Sequence, residues 1–123
     1  MKVNDEQWIR FQKQIEEYAA AKNYFGIGTT YYEMASSVDG EAHAQQLRDE
    51  GYKFKLANST RYLNESLADM VDLMVNKGAC NACLANDGKI NSNKAELTNT
   101  TLPVKDCSNP IGCRCTYLPY IAD

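Results

Sequence analysis

Five cysteines carry the clearest chemical signal in this chain of 123 residues. All of them lie in the last third of the sequence: Cys80, Cys83, Cys107, Cys113 and Cys115. Clustered thiols of this kind can ligate a metal, form disulfides or carry redox chemistry. An odd number disfavours a complete disulfide framework, and so dense a cluster in a weakly apolar segment indicates one shared role. We therefore predict a metal site that uses four of the five cysteines.

The spacing of the cysteines indicates how the sulfurs converge. Two residues between Cys80 and Cys83 let the chain curl so that both sulfurs face one ion. Cys113 and Cys115 are two apart, and in an extended segment such residues share a face. Cys107 lies upstream of that second pair. Zinc accepts four thiolates at about 2.3 Å, so we predict Zn²⁺, and the spacing leaves open which cysteine is spare.

An all-thiolate site has no open position for water or substrate, so the predicted zinc is structural. The chain is accordingly predicted to be a non-enzymatic structural or interaction protein. The alternative is a thiol-based redox enzyme or sensor that uses the cysteine outside the site. A thioredoxin-type role for Cys80 and Cys83 needs a strand before the motif and a helix after it, whereas here a helix is predicted before it and a hairpin after it.

Other side chains give weaker signals, and we assign none of them a catalytic role. His43 is the only histidine and is predicted to be a solvated residue of a helix. The carboxylates of Glu65, Asp69 and Asp72 fall on one side of a predicted helix, where their spacing fits a solvated face.

The order of residues in the C-terminal part also resembles a known family. The shared elements are Cys80-x-x-Cys83, Asp87-Gly88-Lys89, Leu102-Pro103, Cys107, Pro110 and Gly112-Cys113-Arg114-Cys115-Thr116-Tyr117. This pattern resembles the C-terminal Cys module of phage minor head proteins, the Mu F-like head-morphogenesis family. It is also similar to short bacterial proteins of unassigned role with the same ending. The resemblance covers residues 78–119 and implies a phage or prophage setting, with the protein in the virion.

The part before the cysteines has the periodicity of helices. Trp8, Phe11 and Ile15 recur at steps of three and four, which is the period of one helical face. Leu63, Leu67, Met70, Val71 and Met74 give a later segment a similar stripe. We predict three helices, which span residues 4–22, 30–51 and 58–77. A glycine-containing connector at 24–28 joins the first two, and an apolar link at 52–57 joins the second to the third. The second helix is predicted to bend at Gly40.

Beyond Gly78 the helical periodicity stops and turn-forming residues dominate. A hairpin is predicted around Asn86–Lys89, between Leu84 and Ile90. A polar loop follows at 91–101, and a terminal strand is predicted at 114–118. The predicted fold class is α+β, with a helical domain at 1–78 and a Cys-rich zinc module at 79–123.

Composition limits the possible partners. A net charge of −3 disfavours nucleic acid, because phosphate binding needs a concentrated basic face. No run of about 18 apolar residues could span a membrane. The polar N-terminus lacks the apolar region of a secretory signal, so we expect a cytoplasmic protein, or a virion protein if phage-derived. Clustered cysteines in a reducing compartment are more often metal ligands than disulfides. A protein is the expected partner.

Overall fold

The computed structural model describes residues 5–74, 81–104, 107 and 113–120 and confirms the α+β class. The elements in chain order are α1 (Asp5–Ala20), α2 (Tyr24–Ser37), α3 (Glu41–Glu65), β1 (Met70–Met74), α4 (Asn81–Leu84), β2 (Ile90–Ser92), α5 (Asn93–Thr98) and β3 (Thr116–Tyr120). The described chain forms two compact units, which divide between Lys55 and Leu56, inside α3. The domain boundary predicted between residues 78 and 79 lies outside the described residues.

The first unit is helical, and its apolar residues follow the predicted periodicity of α1. Phe11 is buried, with Trp8 and Ile15 packed beside it. The other buried members of this core come from α2 and α3, and they are Met34, Ala35, Ala44 and Leu47. Gly40 has φ +93° between α2 and α3, so the predicted bend there is confirmed as a break between two helices.

The connector predicted at 24–28 is wrong, because α2 begins there. Asn23 caps the helix: its side-chain oxygen accepts a hydrogen bond from the Gly26 N–H at 3.0 Å. A Cβ on Gly26 would lie 2.8 Å from the Tyr18 ring, and a Cβ on Gly28 would lie 2.8 Å from the Gly51 carbonyl oxygen. These glycines therefore allow close packing of neighbouring helices and do not mark a loop.

The predicted end of the second helix at Gly51 and the link at 52–57 are also wrong, since α3 continues through them. A Cβ on Gly51 would meet the Tyr32 ring at 2.8 Å. In the same unit Lys55 is buried, with its ammonium 4.7 Å from the centre of the Phe25 ring and 5.1 Å from that of Tyr32. A cation over aromatic faces stabilises this tight helix contact.

The third predicted helix is wrong in its second half, because the chain leaves the helix at Glu65 and residues 70–74 form β1. Val71 and Leu73 are buried while Met70 and Met74 are exposed, so the burial has the period of a strand. The Asn93 side chain donates hydrogen bonds to the carbonyls of Leu63 and Ala68, at 3.3 and 2.8 Å, and stabilises the chain where it leaves the helix. Asp72 accordingly lies on a strand and not on a helix.

The second unit contains a three-stranded antiparallel sheet with the order β2-β1-β3. Central strand β1 pairs with β3 over its whole length, from Met70 opposite Tyr120 to Met74 opposite Thr116. The core beneath the sheet contains Leu63, Val71, Leu73, Cys83, Leu102, Cys113, Cys115 and Tyr117. Cysteines are thus part of the packed interior of this unit. The predicted terminal strand is present, two residues later than expected.

Two local predictions in this unit need correction. The hairpin partner of β2 is β1, while Leu84 belongs to the short helix α4. The polar loop predicted at 91–101 instead contains the end of β2 and the helix α5. Ser92 caps that helix by accepting a hydrogen bond from the Ala95 N–H at 3.1 Å. Within the described part of the chain, no helix is long and apolar enough to cross a membrane.

Candidate metal centre

Three thiols that are far apart in sequence meet in the core of the second unit. The sulfur of Cys83 lies 3.5 Å from that of Cys107 and 3.8 Å from that of Cys113. All three sulfurs lie within 4.8 Å of one another. The structure therefore brings together three of the five predicted ligands.

The separations of the Cys83 sulfur from those of Cys107 and Cys113 are close to those of a tetrahedral thiolate site. Zinc–sulfur bonds of about 2.3 Å at tetrahedral angles put neighbouring sulfurs about 3.8 Å apart. A disulfide needs about 2.05 Å, and all four described cysteines are free thiols. The three sulfurs are thus close enough to hold one ion between them.

Each thiol is held by a different part of the unit. Cys83 lies in α4, which connects β1 to β2. The backbone N–H of Cys107 donates a hydrogen bond to the Val104 carbonyl at 3.3 Å, which helps to position the second thiol. Cys113 lies three residues before β3, whose pairing with β1 fixes the direction of the chain there. The site thus depends on the sheet and on the loop before Cys107.

Burial dominates the electrostatics of Cys113. It raises the pKa of this thiol above its ordinary value, although backbone N–H groups of Val104 and Cys115 donate hydrogen bonds to the sulfur and act in the opposite direction. Buried thiolates without a cation would be costly, whereas a divalent ion offsets their charge. The N–H···S bonds stabilise the thiolate form that a metal requires.

The remaining predicted ligands have different outcomes. Cys80 lies outside the described residues. Cys115 is only 6% exposed and is packed in the core of the unit, but among the described cysteines it is the one outside the group of three. His43, predicted to be solvated, is exposed on α3 with its ring centre 6.2 Å from that of Trp8.

A buried polar network supports the loop that leads to the metal centre. The carboxylate of Glu96, which is 4% exposed, accepts hydrogen bonds from the Tyr117 hydroxyl, the Thr101 N–H and hydroxyl, and the Asn91 amide. The Tyr117 oxygen in turn accepts a hydrogen bond from the Leu102 N–H at 3.0 Å. These bonds tie α5, the loop after it and β3 together.

The network shifts the pKa values of its two acidic groups, Glu96 and Tyr117, in opposite directions. Burial by itself raises the pKa of Glu96, but the hydrogen bonds from Tyr117, Thr101 and Asn91 outweigh it, so the net pKa lies below 4.5. Burial and the neighbouring Glu96 carboxylate raise the pKa of the Tyr117 hydroxyl well above 10. Glu96 is not apparent from the sequence, because it lies in a segment predicted to be a polar loop. A Ser three residues before an Ala-Glu pair was the available signal for a capped helix.

The three converging thiols can hold a metal ion. Comparisons of the chain with protein-family models, curated proteins and solved structures find no match.

Proposed function

We propose that this chain is a non-enzymatic structural or interaction protein whose C-terminal unit is stabilised by a structural zinc ion. The convergence of Cys83, Cys107 and Cys113 within 4.8 Å carries the proposal. Cys80 is proposed as the fourth ligand, because its spacing from Cys83 is that of a chelating pair. Cys115 is then a core residue, because among the described cysteines it is the one outside the group of converging sulfurs.

The alternative of a thiol enzyme receives less support from the cysteine environments. A reactive thiol needs access to solvent and a lowered pKa. Cys115, the candidate nucleophile outside the site, is buried in an apolar core. Four thiolates around zinc would leave no open position for a substrate. The structural role is therefore the better proposal.

Metal analysis of matched variants tests this proposal. We expect about one zinc per chain in the wild-type protein, and loss of that zinc in Cys113→Ser. The control Cys115→Ser replaces a neighbouring buried cysteine and should retain the metal. Elemental analysis separates zinc from iron, and equal metal content in both variants, or none in the wild type, would contradict the proposal.

We also propose that the protein belongs to a phage or prophage, because residues 78–119 resemble the C-terminal Cys module of phage minor head proteins. A head-associated protein would be found in the virion and would otherwise remain in the cytoplasm of the host cell. Genes for phage head proteins beside its own would support this setting. Neighbouring genes of purely bacterial metabolism would contradict it and would leave the zinc site unaffected.

A further inference from the structure

One face of the sheet in the second unit is open to solvent. Along β1, Val71 and Leu73 are fully buried on the core side, whereas Met70, Asp72 and Met74 point to the opposite side. Because side chains alternate along a strand, the neighbouring strands divide their residues in the same way. We call the side that carries Met70, Asp72 and Met74 the outer face.

The outer face is apolar around a single carboxylate. Asp72 lies at its centre, because the register pairs it with Ile90 on one side and Leu118 on the other. Five exposed apolar side chains surround it, and they are Met70, Met74, Ile90, Leu118 and Tyr120. The register also places the hydroxyl residues Ser92 and Thr116 on this side, opposite Met70 and Met74.

An open groove of about 800 Å³ extends this face at one end. Met70 and Tyr120 line both the face and the groove, and the groove continues to Leu67, whose side chain is fully exposed, and to Asp69. Six of the nine large apolar side chains exposed in the described chain lie on the outer face or in the groove. So strong a concentration on one surface is typical of an interaction site.

We propose that the outer face binds an amphipathic helix of a partner protein, with one Lys or Arg in the middle of its apolar stripe. Three strands about 4.8 Å apart give a face about 10 Å wide between the outer strands, which is the diameter of one helix. The five residues of β1 span about 13 Å, which corresponds to between two and three helical turns. The face therefore fits one short helix, and the groove accommodates an end of it.

The basic residue follows from Asp72. Its carboxylate is half-buried, and it has no hydrogen bond or ion pair with any residue that the structure describes. A helix covering the face would remove this charge from water, which is costly unless a cation of the partner pairs with it. Asp69, exposed beside the groove, adds to the negative charge.

The same charge argues against a second copy of this chain on the face. A two-fold contact is self-complementary, so covering the face with itself would bring two Asp72 carboxylates together at the centre. Like charges at the centre of an interface cost several kcal/mol, by order of magnitude.

A display library of amphipathic helical peptides, 12 to 16 residues long by design, tests this inference on the full zinc-loaded chain. We expect enriched peptides to carry apolar residues at i, i+3, i+4 and i+7 with a basic residue among them. The inference rests on the proposed function only in that zinc keeps the unit ordered. Zinc content is measured in the same samples, so failure of the metal proposal is distinguished from failure of peptide binding.

Charge reversal then tests the central contact. Asp72→Lys should weaken the selected peptides about tenfold or more, and changing the peptide's basic residue to Glu should restore binding to this variant. Asp87→Lys, in the exposed turn before β2, is the charge control and should leave binding unchanged. Leu118→Ser should weaken binding, because Leu118 lies on the outer face. Leu97→Ser is the matched control: Leu97 is exposed to a similar extent, 38% against 39%, but it lies on α5 and its replacement should leave binding unchanged.

Three results would overturn the inference. One is the absence of enriched peptides from zinc-loaded protein, and another is an enriched set without the basic residue. The third is a dimer in sedimentation analysis that dissociates in Leu118→Ser, because it would show that a second copy occupies the face.

Discussion

Replacement of Glu96 by Ala is expected to destabilise the second unit more than any single surface change. The variant removes a buried carboxylate that accepts four hydrogen bonds from described groups. A hydrogen bond to a charged group contributes about 1.5–3 kcal/mol, and bonds within one network are not additive. The expected loss is therefore about 3–5 kcal/mol, a large part of the stability of a small domain.

Glu96→Gln should give an intermediate loss, because its amide oxygen still accepts two of these bonds while its NH₂ faces the other donors. Glu65→Gln is the control: it changes an exposed carboxylate at the end of α3 and should cost less than about 0.5 kcal/mol. Hydrogen exchange of the β1 and β3 amides, read by mass spectrometry, measures the loss. At about 3 kcal/mol the protected amides of Glu96→Ala exchange roughly 100-fold faster than those of the wild type.

The stability that the Glu96 network contributes should also depend on pH, in a direction that follows from the lowered pKa of Glu96. A carboxyl whose pKa is lower in the folded state stabilises it above the unfolded pKa of 4.5, and this contribution is lost as the pH falls through the folded pKa. The zinc-loaded wild type should therefore lose stability below pH 4.5 more steeply than zinc-loaded Glu96→Gln. Equal exchange rates in Glu96→Ala and the wild type, or identical acid profiles, would refute the importance of this network.

Removal of zinc, ionisation of Tyr117 and helix packing at Gly51 should each have a measurable effect on stability. Removal of zinc by a chelator should leave helical circular dichroism largely intact while residues 79–121 become sensitive to protease; loss of helix in step with zinc would contradict this. The raised pKa of Tyr117 predicts a stability loss above pH 10 that Tyr117→Phe lacks, and alkaline melts of both proteins check it. Gly51→Ala should destabilise the helical unit by about 1–3 kcal/mol, because its methyl would lie 2.8 Å from the Tyr32 ring. Fluorescence of the single Trp8 in denaturant measures that loss, and an unchanged midpoint would refute it.

Local patterns in the sequence were sufficient to predict α1 and its buried face. Trp8, Phe11 and Ile15 follow helical spacing without interruption, and no contact from elsewhere in the chain is needed to interpret them. The strand near the C-terminus was also predictable, because residues 114–118 alternate in polarity. Clustering in the sequence marked all five cysteines as candidate ligands, and the structure brings Cys83, Cys107 and Cys113 together.

Glycine caused the main errors in the first unit. By sequence pattern alone, Gly26 and Gly28 indicate a loop and Gly51 a helix end. Each instead packs so closely against a neighbouring ring, side chain or carbonyl that a Cβ at its position would clash. A glycine that ends a helix and a glycine that allows two helices to pack closely cannot be distinguished in a single sequence, because the packing depends on residues far away in the chain.

The strand β1 was missed because Met70, Val71 and Met74 also fit a helical stripe. Its identity depends on pairing with β2 and β3, and the end of α3 is fixed by Asn93, about 30 residues later. Long-range interactions of this kind override local propensity.

Zinc K-edge X-ray absorption on the purified wild-type protein tests the central claim most directly. We expect about one zinc per chain, surrounded by four sulfur atoms at about 2.3 Å. A shell of oxygen or nitrogen atoms, or a protein without bound metal whose Cys83 and Cys107 form a disulfide, would contradict it.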